Sequence, residues 1–297
     1  MNLNSILDVV TNKENFSTIE DYSNFCSKYL EFIKTKLQAV IISKNENHYM
    51  FYQYKKDGTY NITRPINSNL MLSYEEFELS KDKFLNLLLN IKDNEAKQNE
   101  NRILLNNFIY TCQQSIGAAL DALPAKKSNT ARKINGDLFE HLILLIIEKI
   151  GIDVKKGIIS VPVKINGVKA FNMNYQHDLI IKAGENTKAI GSVKTSSKDR
   201  IDKIFIDKFL YNKLTDSQTP HFAIFLNDVQ RKGKENNYSI NTTFLSGHFK
   251  GYTVKLNPLD GIYYFDIRPN MQTEEILKDH IKTFDNFLIE DIWDFLN

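Results

Sequence analysis

Long apolar runs are missing from this 297-residue chain: none reaches the ~18 consecutive residues of a membrane-spanning helix. The opening residues, MNLNSILDVVTNKENF, have no basic run followed by an apolar one, so no secretory signal is expected. Cysteine is scarce. Cys26 and Cys112 are too few for a disulfide framework or a structural zinc site. A glycine-rich loop ending in Gly-Lys-Ser or Gly-Lys-Thr is absent, which argues against a nucleotide cofactor and NTP-driven chemistry. No internal repeat is visible. His177, His221 and His248 stand apart, without the spacing of a zinc site or a catalytic triad, and read as structural. Any large excess of one charge is lacking too, since 38 Lys and Arg meet 36 Asp and Glu for a net charge of +2. With 42% hydrophobic and 25% charged residues, composition is that of an ordinary globular protein, expected to be cytoplasmic.

The charge is unevenly spread. Residues 1–100 carry 12 basic and 14 acidic groups, and residues 271–297 carry 2 basic and 7 acidic. Positive charge collects between them. Lys126, Lys127, Arg132 and Lys133 lie in an acid-free stretch, and residues 188–213 hold seven basic against three acidic groups. Asp228-Val-Gln-Arg-Lys-Gly-Lys234 adds a third basic patch, either a phosphate or outer-base contact through Gln230, Arg231 and Lys232, or a solvated turn. Such a middle section suits a polyanionic partner.

Apolar periodicity predicts helices at 17–38, 80–93 (Ser80 as N-cap) and 100–122, with a β-hairpin or small ribbon across 38–62. Pro124 and the polar residues after it mark a boundary. That gives a mainly helical region 1–125, which could clasp DNA or make an oligomer interface, and a core 126–297. The core opens with the apolar helix GDLFEHLILLIIEKIG. Two alternating runs follow, joined by Asn166-Gly167, the signature of a type I′ hairpin. Next come two short strands, HDLIIKA and AIGSVKT, a helix over 201–214, and PHFAIFLND, a strand to be buried on both faces. Further strands are expected at 238–245, 252–256 and 262–267, and a final helix from Thr273 to Phe295. The fold class is α/β (α+β), a mixed sheet flanked by helices.

Four side chains in that core carry chemistry. Glu140 is a carboxylate in an otherwise apolar helix, where it is costly unless paired. Asp178 opens the strand DLII. Ser192 and Lys194 share one face of the next strand by period-2 alternation, so Asp178 and Lys194 can meet at one sheet edge. Asp207 follows on the next helix. Three carboxylates and a lysine suit Mg²⁺, a hard cation that takes one or two carboxylates, waters and substrate phosphate oxygens. Such an ion lowers the pKa of a bound water and stabilises charge on a phosphoryl transition state, where a lysine can orient the water or neutralise developing charge. Taken singly, each residue also has a structural role open to it, as turn cap, surface charge or ion-pair partner.

These residues resemble the PD-(D/E)xK nuclease core, with His177 in place of the Pro and Ser192 in place of the (D/E). They are similar in particular to a branch of type II restriction endonucleases reading CCGG-type and CCNGG- or CCWGG-type sites. In that branch a Ser precedes x-Lys and the missing carboxylate comes from the following helix, 13 or 14 residues on. Asp207 is 13 residues after Lys194. The resemblance covers residues 134–228. It implies that Asp178 and Asp207 hold metal, that Lys194 is the catalytic lysine, and that Glu140 is an outer or second-metal carboxylate. It also places Lys198, Asp199 and Arg200 where that branch carries its major-groove readers, Arg meeting guanine and Asp meeting cytosine.

The function implied is that of a Mg²⁺-dependent restriction endonuclease of a restriction-modification pair. It would cut double-stranded DNA at a short palindrome with a G·C-rich core and act as a homodimer or homotetramer by symmetry. The alternatives are a repair or modification-dependent nuclease of the same fold and a catalytically inactive DNA-binding protein.

Overall fold

The computed structural model describes residues 2–56, 59–198, 200–234 and 237–297. The chain divides into two compact units, Met1–Ile146 with Asp228–Thr243, and Ile147–Asn227 with Phe244–Asn297. Among the described residues no helix is long and apolar enough to cross a membrane.

The first unit is helical around a small sheet. Its helices are α1 (Leu3–Thr11), α2 (Ile19–Lys36), α3 (Tyr74–Leu89) and α4 (Asn99–Leu120), followed by α5 (Ser128–Lys149), which runs past the unit's end. Helix α4 is its axis, buried without a break from Leu105 to Leu120. Helix α3 starts earlier than the expected Ser80, because Ser73 caps it. Ser73 Oγ accepts from Glu76 N–H (3.3 Å) while the Glu76 carboxylate accepts from Ser73 N–H (2.8 Å), a reciprocal capping box. Strands β1 (Ala39–Ile42), β2 (Tyr49–Lys56), β3 (Thr59–Ile62) and β4 (Ile66–Asn67) form the expected ribbon, with β2 bonded to the other three.

The second unit is built on a mixed six-stranded sheet. Strands β5 (Val154–Ile165) and β6 (Val168–Ala183) make a long antiparallel hairpin. Asn166 (φ 51°) and Gly167 (φ 79°) take the left-handed backbone that the type I′ turn requires. The alternating run VKAFNMN and the strand HDLIIKA are thus one 16-residue strand, and Asp178 stands inside it rather than at its start. Strand β7 (Asn186–Lys194) pairs antiparallel with β6, and α6 (Ile201–Thr215) carries the chain to β8 (His221–Phe225), parallel to β7 and buried at every position.

From Asp228 the chain contributes the pair β9 (Val229–Lys234) and β10 (Asn237–Thr242) to the first unit, where Val229 and Ile240 share a core with Tyr49 and Phe51. Thus the basic stretch at 228–234 is a strand. Residues 252–255, expected within a strand at 252–256, belong to helix α7 (Ser246–Lys255). The packing of Phe249 and Tyr252 on Phe205 outweighs the weak local preference of a stretch holding two glycines. Strands β11 (Gly261–Tyr264) and β12 (Ile281–Thr283) complete the sheet in the order β12-β11-β8-β7-β6-β5. The expected single helix from Thr273 to Phe295 is broken, because Ile281–Thr283 pairs with the sheet edge before helical turns resume at Phe284.

Helices α6 and α7 cover one sheet face through Ile204, Phe205 and Phe249 against Ala223, Phe225 and Ile262. On the other face Phe222 packs on Phe287 and Phe295 (ring centroids 4.8 and 5.6 Å). Gly191 is where β7 makes room for that ring, since a Cβ there would stand 2.4 Å from Phe222. With Phe222 held by two further rings, we expect Gly191→Ala to cost about 1–3 kcal/mol as overpacking. A urea unfolding midpoint equal to that of the parent protein would contradict this packing.

Candidate active site

Strands β6 and β7 pair from Ala183↔Asn186 back to Leu179↔Gly191, with a register shift between Ile181 and Lys182, and pair no further. On the far side of β6 the register slips. Between Lys155↔Ile180 and Gly157↔His177, β5 advances two residues while β6 advances three, so β6 carries a bulge at 178–179. The bulge matters because it reverses the alternation. Tyr175 and His177 face α6, meeting the Tyr211 ring at 5.8 and 6.0 Å. Ile180 stands opposite Ile190, whose side chain shares a cluster with Tyr211 on that same face. Residues 175, 177, 178 and 180 are therefore all turned to one side, and Asp178 joins the face that β7 gives to Ser192 and Lys194.

The Asp178 carboxylate is only 12% exposed and has two donors on a single oxygen. Oδ2 accepts from Val193 N–H at 2.9 Å, a bond the splayed ladder no longer supplies, and from Lys194 Nζ at 2.5 Å. The convergence expected of Asp178 and Lys194 is thus present, and Oδ1 is left without a hydrogen bond among the described residues. Asp207 rises from α6 and forms an ion pair with Lys203 one turn before it. Its charge is felt by Tyr175 and His177. Burial raises the Tyr175 pKa, with Asp207 adding to the rise, whereas burial pushes His177 down to about 4 against the pull of Asp207. Asp178, Lys194 and Asp207 all belong to the second unit, and half-buried Glu140 belongs to the first.

Among the described residues, no three His, Cys, Asp or Glu side chains gather closely enough to hold a metal unaided. The donor set still fits Mg²⁺ in the way that ion is commonly bound, by one or two carboxylates with waters and phosphate oxygens supplying the rest. Asp178 Oδ1 accepts no hydrogen bond among the described residues, and Asp207 stands on α6, which packs on the same face of the sheet.

Lys198 and Arg200 occupy the exposed turn between β7 and α6, where Arg200 N–H donates to Ser197 O at 3.2 Å. Asp199 lies outside the described residues. Arg231 has work inside the first unit. Its guanidinium donates to Ile62 O and to Thr63 O (3.0 Å) and lies 5.4 Å from the Tyr238 ring, fastening β9–β10 to β3. Lys232 beside it is exposed. The aromatic and imidazole wall of Tyr175, His177, Tyr211 and His221 is not foreseen as a unit in the sequence reading, although Tyr175 and His177 alternate along β6.

No family model and no curated protein matches the chain. Among solved structures, the chain is similar over 99% of its length to 97% of the crystal structure of the type IIP restriction endonuclease Kpn2I, at 19% identity and a TM-score of 0.71. A complex of the restriction endonuclease PspGI with substrate DNA matches 74% of this chain and 89% of its own, at 14% identity and a TM-score of 0.43. The first likeness establishes a restriction-endonuclease-like fold, in agreement with the mixed sheet and flanking helices expected from the sequence.

His221 makes this wall sensitive to acid. The ring is 3% exposed, its Nδ1–H donates to Thr219 O at 2.9 Å, and its Nε2 is buried without a partner. Burial holds its pKa down to about 4. An unfolded chain binds the proton near 6.5 and the folded one does not, so this contribution to stability is complete above pH 6.5 and is lost as pH falls toward 4. The unfolding free energy should decline across that interval. His221→Phe should flatten the decline by up to about 1.4 kcal/mol per pH unit. Identical pH profiles for the two proteins would remove His221 as the cause.

Proposed function

We propose that this protein is a Mg²⁺-dependent, site-specific endonuclease of double-stranded DNA, a type II restriction enzyme of the PD-(D/E)xK kind. The observation that carries the reading is the Asp178–Lys194 pair, set by a bulge at the splayed end of β6 and β7 in a restriction-endonuclease-like sheet. Asp178, through Oδ1, and Asp207 would hold the ion, which when bound supplies an acidified water and neutralises phosphate charge. The role implied for Glu140 rests on the family resemblance alone.

The chain's own contribution is positioning. The Val193 N–H and the Lys194 ammonium fix one carboxylate oxygen, so that the other would be available to the ion. The ammonium places a positive charge where negative charge grows as the phosphodiester is attacked in line. Ser192 cannot supply the carboxylate common at its position, and Asp207, one helix further on, takes that part. Arg200, exposed at the start of α6, would read guanine through two donors, with Lys198 in the same turn and Asp199 adjoining it in sequence. A G·C-containing palindrome would then be read by two copies, in a homodimer or tetramer. Residues 126–297 bear the nuclease part, and 1–125 serve as a clasp or oligomer interface, with Lys232 and what remains open of Arg231 at the DNA backbone. Ser192, standing where a carboxylate is usual, favours one other reading, an inactive DNA-binding protein on the same fold.

Unmethylated phage DNA incubated with the protein should give discrete fragments with Mg²⁺ and none with EDTA. Lys194→Ala should slow cleavage by roughly 10²–10³-fold, the usual effect of removing one group that stabilises transition-state charge. Cleavage by Lys194→Ala at the parent rate would overturn the active-site assignment. A Mg²⁺-dependent smear would indicate a repair-type nuclease, and intact DNA that shifts in a native gel would indicate the binding protein. Arg200→Ala should relax the choice of site, so an unchanged fragment pattern would remove Arg200 as a reader.

A further inference from the structure

The β5–β6 hairpin continues well past the Asp178–Lys194 pair. Strand β7 stops at Lys194, whereas β6 extends ten residues on the other side of Asp178 to Val168, roughly 33 Å of strand at 3.3 Å per residue. Residues 154–177 include four lysines, at 155, 156, 164 and 169, and no acid. One face of this arm lies against α6 through Val161 and Tyr175. The other face is open. Asn172, Asn174 and Gln176 alternate along β6, opposite Pro162, Ser160 and Ile158 of β5, and all six are exposed. None of the three amides has a hydrogen-bond partner among the described residues, and Ile158 is 66% exposed.

We infer that this arm is a DNA-contacting ribbon, its lysines on phosphates and its open face against base edges, and that it brings A·T pairs into the recognised sequence. The inference rests on the nuclease reading for DNA as the ligand. A two-stranded ribbon fits the B-DNA major groove, and Asn and Gln are the side chains that pair bidentately with adenine N6 and N7. Alternate residues of a strand lie about 6.8 Å apart, close to two base-pair steps. Ile158, the direct neighbour of Gln176, offers an apolar surface for the thymine methyl of the same pair. Acid-free lysine also selects the occupant. Two copies of this arm would repel each other, whereas a polyanion would be attracted.

The test uses the full chain on a short unmethylated duplex, with calcium as the divalent cation. Binding is measured across a salt series for the protein and for a Lys155→Ala/Lys164→Ala/Lys169→Ala variant. The slope of log affinity against log salt should flatten by about 2 to 3 in the variant, near 0.9 for each phosphate that is no longer neutralised. Lys→Arg replacements at the same positions should restore it. Asn172→Ala/Asn174→Ala/Gln176→Ala should keep the slope. In selection from a random-sequence duplex pool, that variant should lose roughly 5- to 150-fold of preference at an A·T position. A lysine variant that melts like the parent and keeps the parent slope overturns the arm, whether or not the protein cuts DNA. An amide variant that selects the parent sequences overturns the base-reading part. DNA bound with a lysine-dependent slope but never cleaved with Mg²⁺ keeps the arm and removes the nuclease reading. A protein that neither binds nor cuts overturns both.

Discussion

A regular pleat through β6 would give Tyr175, His177 and Leu179 to the α6 side of the sheet and send Asp178 to the other. One extra residue at 178–179 cancels that alternation, and the rest of the site follows from it. Asp178 comes to the face that carries Ser192 and Lys194, the β6–β7 ladder ends, and the Val193 N–H left over is satisfied by the carboxylate instead of by backbone. The same bulge keeps His177 against Tyr211, so hydrophobic cover and the charged pair occupy adjacent positions on one strand.

The energetics of that pair make it a poor source of stability. Asp178 and Lys194 are 12% and 31% exposed, so both surrender much of their hydration to stand together. Coulombic gain in such a setting barely offsets desolvation, and apolar groups of similar volume commonly serve a fold as well or better. Stability alone would thus select packing here. A carboxylate held through one oxygen, with the other left for a ligand, makes sense if something cationic completes the arrangement. His221 and His177 illustrate the opposite solution a few ångströms away, where burial is tolerated by remaining neutral.

Where a local code exists, the fold can be read from the chain. Asn166-Gly167 dictates its turn, the five buried residues of β8 dictate a central strand, and α6 follows its expected limits to within a residue. The Asp178–Lys194 meeting was legible because a short turn leaves adjacent strands few registers. The bulge was not, since nothing in Gln-His-Asp-Leu distinguishes a bulged strand from a straight one. That is why Asp178 was expected at a strand start. Elements fixed by distant partners were likewise hidden. Helix α7 exists because Phe249 and Tyr252 have Phe205 to pack against, and β12 interrupts a helix-like sequence because a sheet edge needs a neighbour. Arg231 looked like a free surface cation until β10 placed Tyr238 under it.

Cover also explains how the sheet divides its labour. Its β8–β11 half has helices on both faces and needs only apolar side chains, hence the unbroken burial of both strands. Beyond the bulge the β5–β6 arm has a helix on one face alone, so alternate residues must tolerate water, and the chain sets amides and serine there beside Ile158 and Pro162. Acidic residues would tolerate water equally well, and solvation therefore cannot explain their complete exclusion from 154–177 while residues 271–297 carry seven. A polyanion lying along the open face of the arm, as proposed above, would select one sign of charge there.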